Sequence, residues 1–217
     1  MLKIENVVTP SDIWWEVVAS GTRNAYGSWD KSDSEEYYGI FFLGDKDLEL
    51  MSKLANAGDD HGKFMRQLPV ICEITAPHYF WPQLDQYKVG TVTNSTSKMH
   101  SLLKKPFEES DFSFDSSWMT DDSAGIVIDS LNRLRNSYLA TVKPEDKRAI
   151  WDLILEILPM SYNQMRTWSG NYQVLRHIYH ARKNHKLGEW HEFCEWIETL
   201  PYAKELIVGE KKEENDS

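Results

Sequence analysis

The sequence predicts an α+β fold that contains more helix than strand. Five segments place their apolar residues at helical spacing: 45–58, 123–142, 143–158, about 170–184 and about 187–200. One further segment, 68–75, is an apolar run of strand length, and Ala76-Pro77 ends it because proline cannot continue a central ladder. The chain shows no internal repeat and no long linker, so we predict a single mixed domain.

The first predicted helix, 45–58, has both a start signal and a stop signal. Asp45 is a candidate N-cap, and Gly58 is a candidate C-terminal stop. The apolar residues between them are Leu48, Met51, Leu54 and Ala55. Their spacing predicts one amphipathic helix.

The helices of the C-terminal half carry similar end signals. The helix predicted over 143–158 has Pro144 at its first position, where its missing N–H is not needed. Glu145 and Asp146 fall in the first turn, where the helix dipole favours negative charge. Pro201 stops the last predicted helix.

The composition is that of a globular protein with an acidic charge balance. Hydrophobic residues make up 41% of the 217 residues, charged residues make up 27%, and the formal net charge is −10. Binding to duplex nucleic acid needs clustered Lys and Arg, so we predict no nucleic-acid partner. We predict one domain over 1–208. The charged tail 209–217 is expected to be disordered because it has no apolar residue to bury.

The cysteines and the N-terminus lead us to expect a cytoplasmic protein. Cys72 and Cys194 lie in apolar or aromatic segments without a CxxC pair, which is typical of buried, reduced thiols. The first ten residues, MLKIENVVTP, contain no hydrophobic signal-peptide region, and no apolar run reaches membrane-spanning length. We therefore predict no membrane partner.

Several common catalytic patterns are missing from the sequence. Four histidines fall within one stretch: His177, His180, His185 and His191. They do not form HExxH or a Cys-rich clamp, so we predict no metal site. There is no GxSxG, and neither cysteine sits beside an obvious histidine partner in sequence, so no covalent nucleophile is predicted. The absence of GxGxxG and GxxxxGK[ST] disfavours a Rossmann or Walker-type phosphate loop.

The segment 82–100, PQLDQYKVGTVTNSTSKMH, combines two lysines with many hydrogen-bonding side chains. Lys88 and Lys98 supply positive charge, and Gly90 permits close approach of the backbone to a ligand. The hydrogen-bonding side chains are Thr91, Thr93, Asn94, Ser95, Thr96 and Ser97. Such a strip suits a phosphate or pyrophosphate, although composition alone favours a solvated loop.

Arg182 raises a related question about its partner. At helical spacing it shares a face with Leu175 and Ile178, which directs its guanidinium toward the packed side. A buried or half-buried arginine requires a partner. That partner is either a structural Asp or Glu or a ligand phosphate, and the sequence leaves both open.

Five segments, taken in order, carry a resemblance to a known family. They read SGTRNAYGSW…LGDKDLELMSKLANAGDDH, VICEITAPHYFWPQ, the 82–100 stretch, ILPMSYNQMRTWSGNYQVLRHIYHAR and HKLGEWHEFCEWI. Their order and spacing resemble the flavin-dependent thymidylate synthases, the ThyX family, over nearly the whole chain. The resemblance implies an antiparallel sheet flanked by helices, with a helix-rich C-terminal half and an Asn-led helix at Asn171.

The resemblance also implies two sets of binding residues. The positions that match nucleotide-binding residues, or lie beside them in the same stretch, are Gln83, Asn94, Ser95, Thr96, Lys98 and Arg182. The positions that match flavin-binding residues are His61, Gln86, Tyr87, Lys88, Asn171 and His177.

The flavin set departs from the family at its signature. The Arg-His-Arg triplet of the family falls on Gln86, Tyr87 and Lys88. Only the third position still carries a positive charge, with Lys88 in place of arginine. A charge-assisted hydrogen bond contributes about 1.5–3 kcal/mol, so these losses weaken binding unless other groups compensate. Three further cations are possible substitutes: Lys63, Arg66 and Arg166.

The reaction that the resemblance implies is a methyl transfer to a nucleotide. FAD is reduced by NADPH, and a methylene passes from methylenetetrahydrofolate to dUMP to give dTMP. The cofactors carry the chemistry in such an enzyme, which agrees with the missing nucleophile. The family assembles as homotetramers, and nine Trp and ten Tyr offer interface material.

Two other functions remain open at this point. The altered flavin signature is compatible with a different pyrimidine-nucleotide reaction, such as hydroxymethylation. It is also compatible with a non-catalytic homologue that binds a nucleotide.

Overall fold

The computed structural model describes residues 2–114 and 122–209 of the chain. Residues 210–217 of the predicted tail, and the middle of the acidic segment 108–123, lie outside the described residues. Within the described ranges, no helix has both the length and the apolar character needed to cross a lipid bilayer.

The described residues form a four-stranded sheet and a separate hairpin. The strands are β1 (Lys3–Val8), β2 (Glu35–Tyr37), β3 (Ile40–Phe42), β4 (Pro69–Pro77), β5 (Val92–Ser95) and β6 (Asn163–Asn171). The antiparallel main sheet has the order β1-β4-β6-β5, and β2 pairs with β3 in the hairpin. Strand β4 confirms the strand predicted over 68–75 and ends at Pro77, as its proline requires.

Helices account for most of the remaining described structure. The α-helices are α1 (Asp12–Thr22), α2 (Asp45–Asn56), α3 (Trp81–Leu84), α4 (Lys98–Ser101), α5 (Ser123–Ala140), α6 (Pro144–Ile157), α7 (Tyr172–Arg182) and α8 (Gly188–Glu198). A 3-10 helix covers Gly62–Gln67, and a π-helical turn covers Lys204–Val208. The five predicted helices correspond to α2, α5, α6, α7 and α8, and Pro144 begins α6 as expected.

The start of α2 differs from the prediction that Asp45 is its N-cap. The N-cap is Gly44, and Asp45 is the first helical residue. The free N–H groups of the first turn are bound from outside the helix, because Asp33 accepts hydrogen bonds from the backbone of Lys46 at 3.0 Å and of Asp47 at 3.2 Å. A carboxylate outside the helix therefore performs the capping role that the sequence placed on Asp45.

The region before α7 differs as well, because the predicted helix began near Gly170 and no strand was expected there. Residues Asn163–Asn171 form β6, and Asn171 is the N-cap of α7. Met165 and Trp168 are the large apolar residues of β6, and they are three apart, so they do not alternate as strand residues usually do. The Asn-led helix implied by the resemblance is confirmed at Asn171.

The chain divides into two compact units. The first comprises the described parts of Met1–Lys3, Thr75–Gln86 and Asn94–Arg166. Its core is a cluster in which α5 and α6 pack together: Leu102, Phe107, Phe112, Leu131 and Ile154. The predicted single domain over 1–208 includes both units and stays a prediction.

The second unit comprises the described parts of Ile4–Ile74, Tyr87–Thr93 and Thr167–Ser217. Helix α7 packs against α8, the 3-10 helix and the π-helical turn. Its largest fully buried side chains include Met51, Met65, Leu68, Trp168, Tyr172, Trp190 and Phe193. The aromatic side chains of this unit therefore contribute much of its core.

Candidate functional site

Asn171 anchors the first group of candidate residues, all of which belong to the second unit. Its Oδ1 accepts a hydrogen bond from the backbone N–H of Val174 at 3.0 Å, and the residue is 7% exposed. Gly90 lies directly against its amide, because a Cβ built on Gly90 would be 2.6 Å from Nδ2 of Asn171. Gly90 also has a φ of +74°. Glycine is needed at position 90 for both reasons.

A cavity of about 150 Å³ lies beside Asn171. Its lining residues are Asp59, Arg66, Val89, Asn171, Gln173, Val174 and His177. Two of the predicted flavin residues, Asn171 and His177, are therefore brought together. Three other members of that set, His61, Tyr87 and Lys88, belong to the same unit and are not among the lining residues.

Gln173 and Arg66 add polar groups that the resemblance did not assign to the site. Nε of Arg66 donates a hydrogen bond to Oε1 of Gln173 at 2.6 Å. Gln173 is only 3% exposed, and its buried Nε2 makes no hydrogen bond of normal geometry. A buried amide donor without a partner is costly, so it marks a place where a ligand acceptor would be favourable.

His177 pairs with Asp59 at the same cavity. The His177 Nε2 lies 3.0 Å from Oδ1 of Asp59, and both side chains are exposed. This hydrogen bond is the main reason that the pKa of Asp59 lies below its ordinary value. Gln173 has a smaller effect in the same direction, although its Nε2 does not complete a normal hydrogen bond.

Arg182 is held between aromatic side chains of the second unit. Its Nε donates to the hydroxyl of Tyr87 at 2.9 Å, and its guanidinium carbon lies 4.9 Å from the ring centroid of Trp190. The sequence had left the partner of Arg182 open between a carboxylate and a phosphate. In the structure, a phenol hydroxyl and an indole face are among the partners of this half-buried arginine. Cation–π contact and the Tyr87 hydrogen bond fix the orientation of the guanidinium.

The remaining nucleotide-binding candidates belong to the first unit. Asn94 and Ser95 are exposed on β5, which is an edge strand of the main sheet. The Thr96 hydroxyl donates to the carbonyl oxygen of Met165 at 3.0 Å, so toward a ligand it can act only as an acceptor. Gln83 is partly buried in α3. Gln86, from the flavin set, also belongs to this unit and is exposed.

Lys98 has a basic neighbour, Arg166, that the sequence offered only as a possible substitute. The pKa of Lys98 lies below its ordinary value, first because the side chain is partly buried and second because of the Arg166 charge. The Arg166 guanidinium stacks 4.2 Å from the Trp81 ring centroid, and its Nη1 lies 3.1 Å from both carboxylate oxygens of Asp85. A pattern search along one segment does not detect this pair, because the residues lie in different parts of the chain.

The cysteines and histidines do not suggest another kind of catalytic centre. Burial raises the pKa of the Cys72 thiol to about 12 and that of the Cys194 thiol to about 11, so both stay protonated near neutral pH. Over the described ranges, no three His, Cys, Asp or Glu side chains come together in a way that could hold a metal ion.

Comparisons with known proteins identify the fold. No protein-family model matches the chain, and no curated protein matches it. Thymidylate Synthase X (ThyX) from Helicobacter pylori, crystallised with FAD and dUMP, is 19% identical, with a TM-score of 0.68 over 95% of this chain and 97% of that one. The UMP/dUMP methylase PolB from Streptomyces cacaoi, bound with 5-Br dUMP, is 16% identical, with a TM-score of 0.57 over 96% and 95%. The chain thus has a ThyX-like fold, and the predicted α+β class is confirmed.

Proposed function

We propose that the chain is a flavin-dependent enzyme that methylates dUMP to dTMP, with methylenetetrahydrofolate as carbon donor and NADPH as reductant. The observation that carries the proposal is the polar cavity beside Asn171. Two of its lining residues, Asn171 and His177, are positions that the family resemblance assigns to flavin binding. The fold is similar to that of a protein crystallised with FAD and dUMP.

The residues of this cavity fit part of a flavin. Asn171 and Gln173 offer amide donors, Arg66 offers a positive charge and His177 offers a ring nitrogen, whereas flavin and its phosphates are rich in acceptors. The cavity is smaller than the roughly 300–1,000 Å³ that enclose a whole drug-sized ligand. It therefore suits one portion of FAD, and the exposed His61 and Lys88 of the same unit are proposed to contact the rest.

In this proposal the chain's residues bind and orient, and no side chain forms a covalent bond. FAD, when bound, supplies the hydride chemistry. Asn171 keeps its Oδ1 on the helix and presents Nδ2 as a donor, while Arg66 replaces charge that the altered signature lacks. Arg182, oriented by Tyr87, binds the nucleotide. In the first unit, the resemblance implies Gln83, Asn94, Ser95, Thr96 and Lys98 as nucleotide-binding residues.

Absorbance and product analysis test this function directly. The purified protein is expected to take up FAD, to be stabilised by dUMP, and to form dTMP when NADPH and methylenetetrahydrofolate are supplied. Arg182→Ala is expected to lower turnover at least 100-fold, because the guanidinium and its fixed orientation are both lost. The neighbouring Lys183→Ala, whose ammonium faces the Tyr179 ring, is the matched control and should retain activity.

The outcomes separate this proposal from its alternatives. A protein that neither takes up FAD nor is stabilised by dUMP contradicts it. A hydroxymethylated product, detected as an added oxygen in the product mass, identifies a different reaction on the same fold. Nucleotide binding without turnover identifies a non-catalytic homologue.

We also propose the homotetramer that the family resemblance implies, and the second unit exposes apolar side chains that suit subunit interfaces. They lie on α1 and on the β2–β3 hairpin: Ile13, Trp14, Val17, Tyr37, Tyr38, Ile40 and Phe42. Exposed apolar groups of this kind typically mark protein interfaces. Light scattering during size-exclusion chromatography should give the mass of four chains, and a monomer at micromolar concentration would contradict the expectation.

A further inference from the structure

The cavity beside Asn171 presents two amide donors whose direction is fixed. Oδ1 of Asn171 accepts from the backbone of Val174, so its Nδ2 remains as the donor. Oε1 of Gln173 accepts from Arg66, so its Nε2 likewise remains as the donor. Gln173 is 3% exposed, and within the described ranges its buried Nε2 makes no hydrogen bond of normal geometry. An acceptor on a ligand in the cavity would satisfy this buried donor.

Asp59 adds an acceptor to the same cavity. Its Oδ1 lies 3.0 Å from Nε2 of His177, and the second carboxylate oxygen keeps lone pairs for a ligand. The His177 hydrogen bond, and to a smaller extent the charge of Arg66, hold the pKa of Asp59 below its ordinary value. Asp59 is therefore ionised near neutral pH, where its carboxylate can only accept hydrogen bonds.

The charges and the walls of this cavity disfavour a phosphate group. The Arg66 guanidinium is accompanied by the Asp59 carboxylate, so the two charges offset each other and do not match a phosphate dianion. Val89 and Val174 contribute apolar surface, which suits the face of a flat ring better than a hydrated anion. The volume of about 150 Å³ suits one edge of a ring system.

We propose that this cavity binds a pyrimidinedione edge, the side of a pyrimidine ring on which two carbonyl groups flank one N–H, and that Asp59 and Gln173 determine its specificity. The carbonyl oxygens match the donors on Gln173 and Asn171, and the N–H matches the Asp59 carboxylate. The isoalloxazine ring of FAD and the uracil base of dUMP both carry such an edge. The inference rests on the proposed function for flavin as the occupant.

Fluorescence titration of the wild-type protein tests the assignment without any variant. FAD is compared with FAD that carries a methyl group on the ring nitrogen between the two carbonyl groups. The methyl group removes the N–H that Asp59 would accept, so the affinity is expected to fall at least about tenfold. Equal affinity for the two flavins overturns the inference.

Two adjacent carboxylates provide a matched pair of variants. Asp59→Ala should bring the affinities for the two flavins to within about twofold of each other, because the acceptor that distinguishes them is lost. Asp60 is also exposed and is not among the lining residues, so Asp60→Ala should keep the full difference. A purely structural role of Asp59 would leave the ratio of affinities unchanged, and that result overturns the inference.

Competition experiments identify the source of the pyrimidinedione edge. Deoxyuridine that leaves FAD bound supports flavin as the occupant. Deoxyuridine binding that is lost in Asp59→Ala and kept in Asp60→Ala supports the site with uracil as its occupant, and overturns flavin at this place. Inorganic pyrophosphate that competes with FAD in the wild type but not in Arg66→Gln identifies an anion site and overturns the inference.

The outcomes also distinguish this inference from the proposed function. FAD uptake and dTMP formation, with equal affinity for both flavins, support the function and overturn the inference. Asp59-dependent binding of deoxyuridine by a protein that takes up no FAD supports the site and contradicts the function. A protein that binds neither FAD nor deoxyuridine contradicts both.

Discussion

Replacing Asp47 with alanine is expected to destabilise the folded chain by about 3–5 kcal/mol, because the change leaves a buried arginine without its counter-ion. Asp47 and Arg23 are both buried, and Nε of Arg23 lies 2.5 Å from Oδ1 of Asp47. The hydroxyls of Ser32 and Ser34 donate to the other carboxylate oxygen. Chemical denaturation at pH 7 measures the loss.

A neighbouring carboxylate on α2 provides the matched control. Glu49 pairs with Lys53 at 2.6 Å, yet both side chains are exposed, so Glu49→Ala should move the denaturation midpoint little. Equal effects of Asp47→Ala and Glu49→Ala would show that the buried network does not dominate the stability of this region.

The same network predicts a dependence of stability on pH. Burial alone would raise the pKa of Asp47, but hydrogen bonds from Ser32, Ser34 and Arg23, together with the Arg23 charge, bring it below its ordinary value. The unfolded chain therefore binds this proton at higher pH than the folded chain does. The contribution of Asp47 to the free energy of unfolding is complete above the ordinary Asp pKa of about 3.9. This contribution is lost as the pH falls through the lower pKa of the folded state. Asp47→Asn should lack this part of the pH profile.

The second large effect is expected for Gly90→Ala, which should reduce FAD affinity at least tenfold. The new Cβ would lie 2.6 Å from Nδ2 of Asn171, so the amide must move away from the cavity that it lines. A φ of +74° adds strain of about 1–3 kcal/mol for a residue other than glycine. Fluorescence titration with FAD measures the affinity, and thermal unfolding measures the strain.

Gly39→Ala separates the two causes. Gly39 has a similar φ of +78°, but nothing lies within 4 Å of the added Cβ. This control should therefore lose stability without losing FAD affinity. If Gly90→Ala binds FAD as tightly as Gly39→Ala does, Asn171 does not contact the cofactor.

Five of the eight described α-helices were predicted from local sequence, whereas β4 was the one strand predicted of the six described. Pro144 and the apolar spacing of 45–58 act within a few residues, and α6 and α2 form where those signals lie. Strand β5, Val92–Ser95, is short, polar and exposed. Its composition therefore favoured a solvated loop over a strand. It becomes a strand because β6 provides a hydrogen-bonding partner from a distant part of the chain.

The candidate site shows the same division between local and distant information. The resemblance selected Asn171, His177 and Lys98 one position at a time, and the structure places polar neighbours beside each of them. Arg66 and Gln173 are 107 positions apart, and Arg182 and Tyr87 are 95 apart, so no local spacing predicts these contacts. The sequence could identify the cationic side chains, but their partners depend on the packed fold.

The helix cap at Asn171 has a consequence for ligand selectivity. An asparagine amide can usually rotate by half a turn and exchange its donor for its acceptor. Here Oδ1 is committed to the Val174 N–H, so the amide cannot flip without uncapping α7. A ligand atom that hydrogen-bonds to Nδ2 of Asn171 must therefore be an acceptor, such as a carbonyl oxygen. An amino group at that point would be rejected.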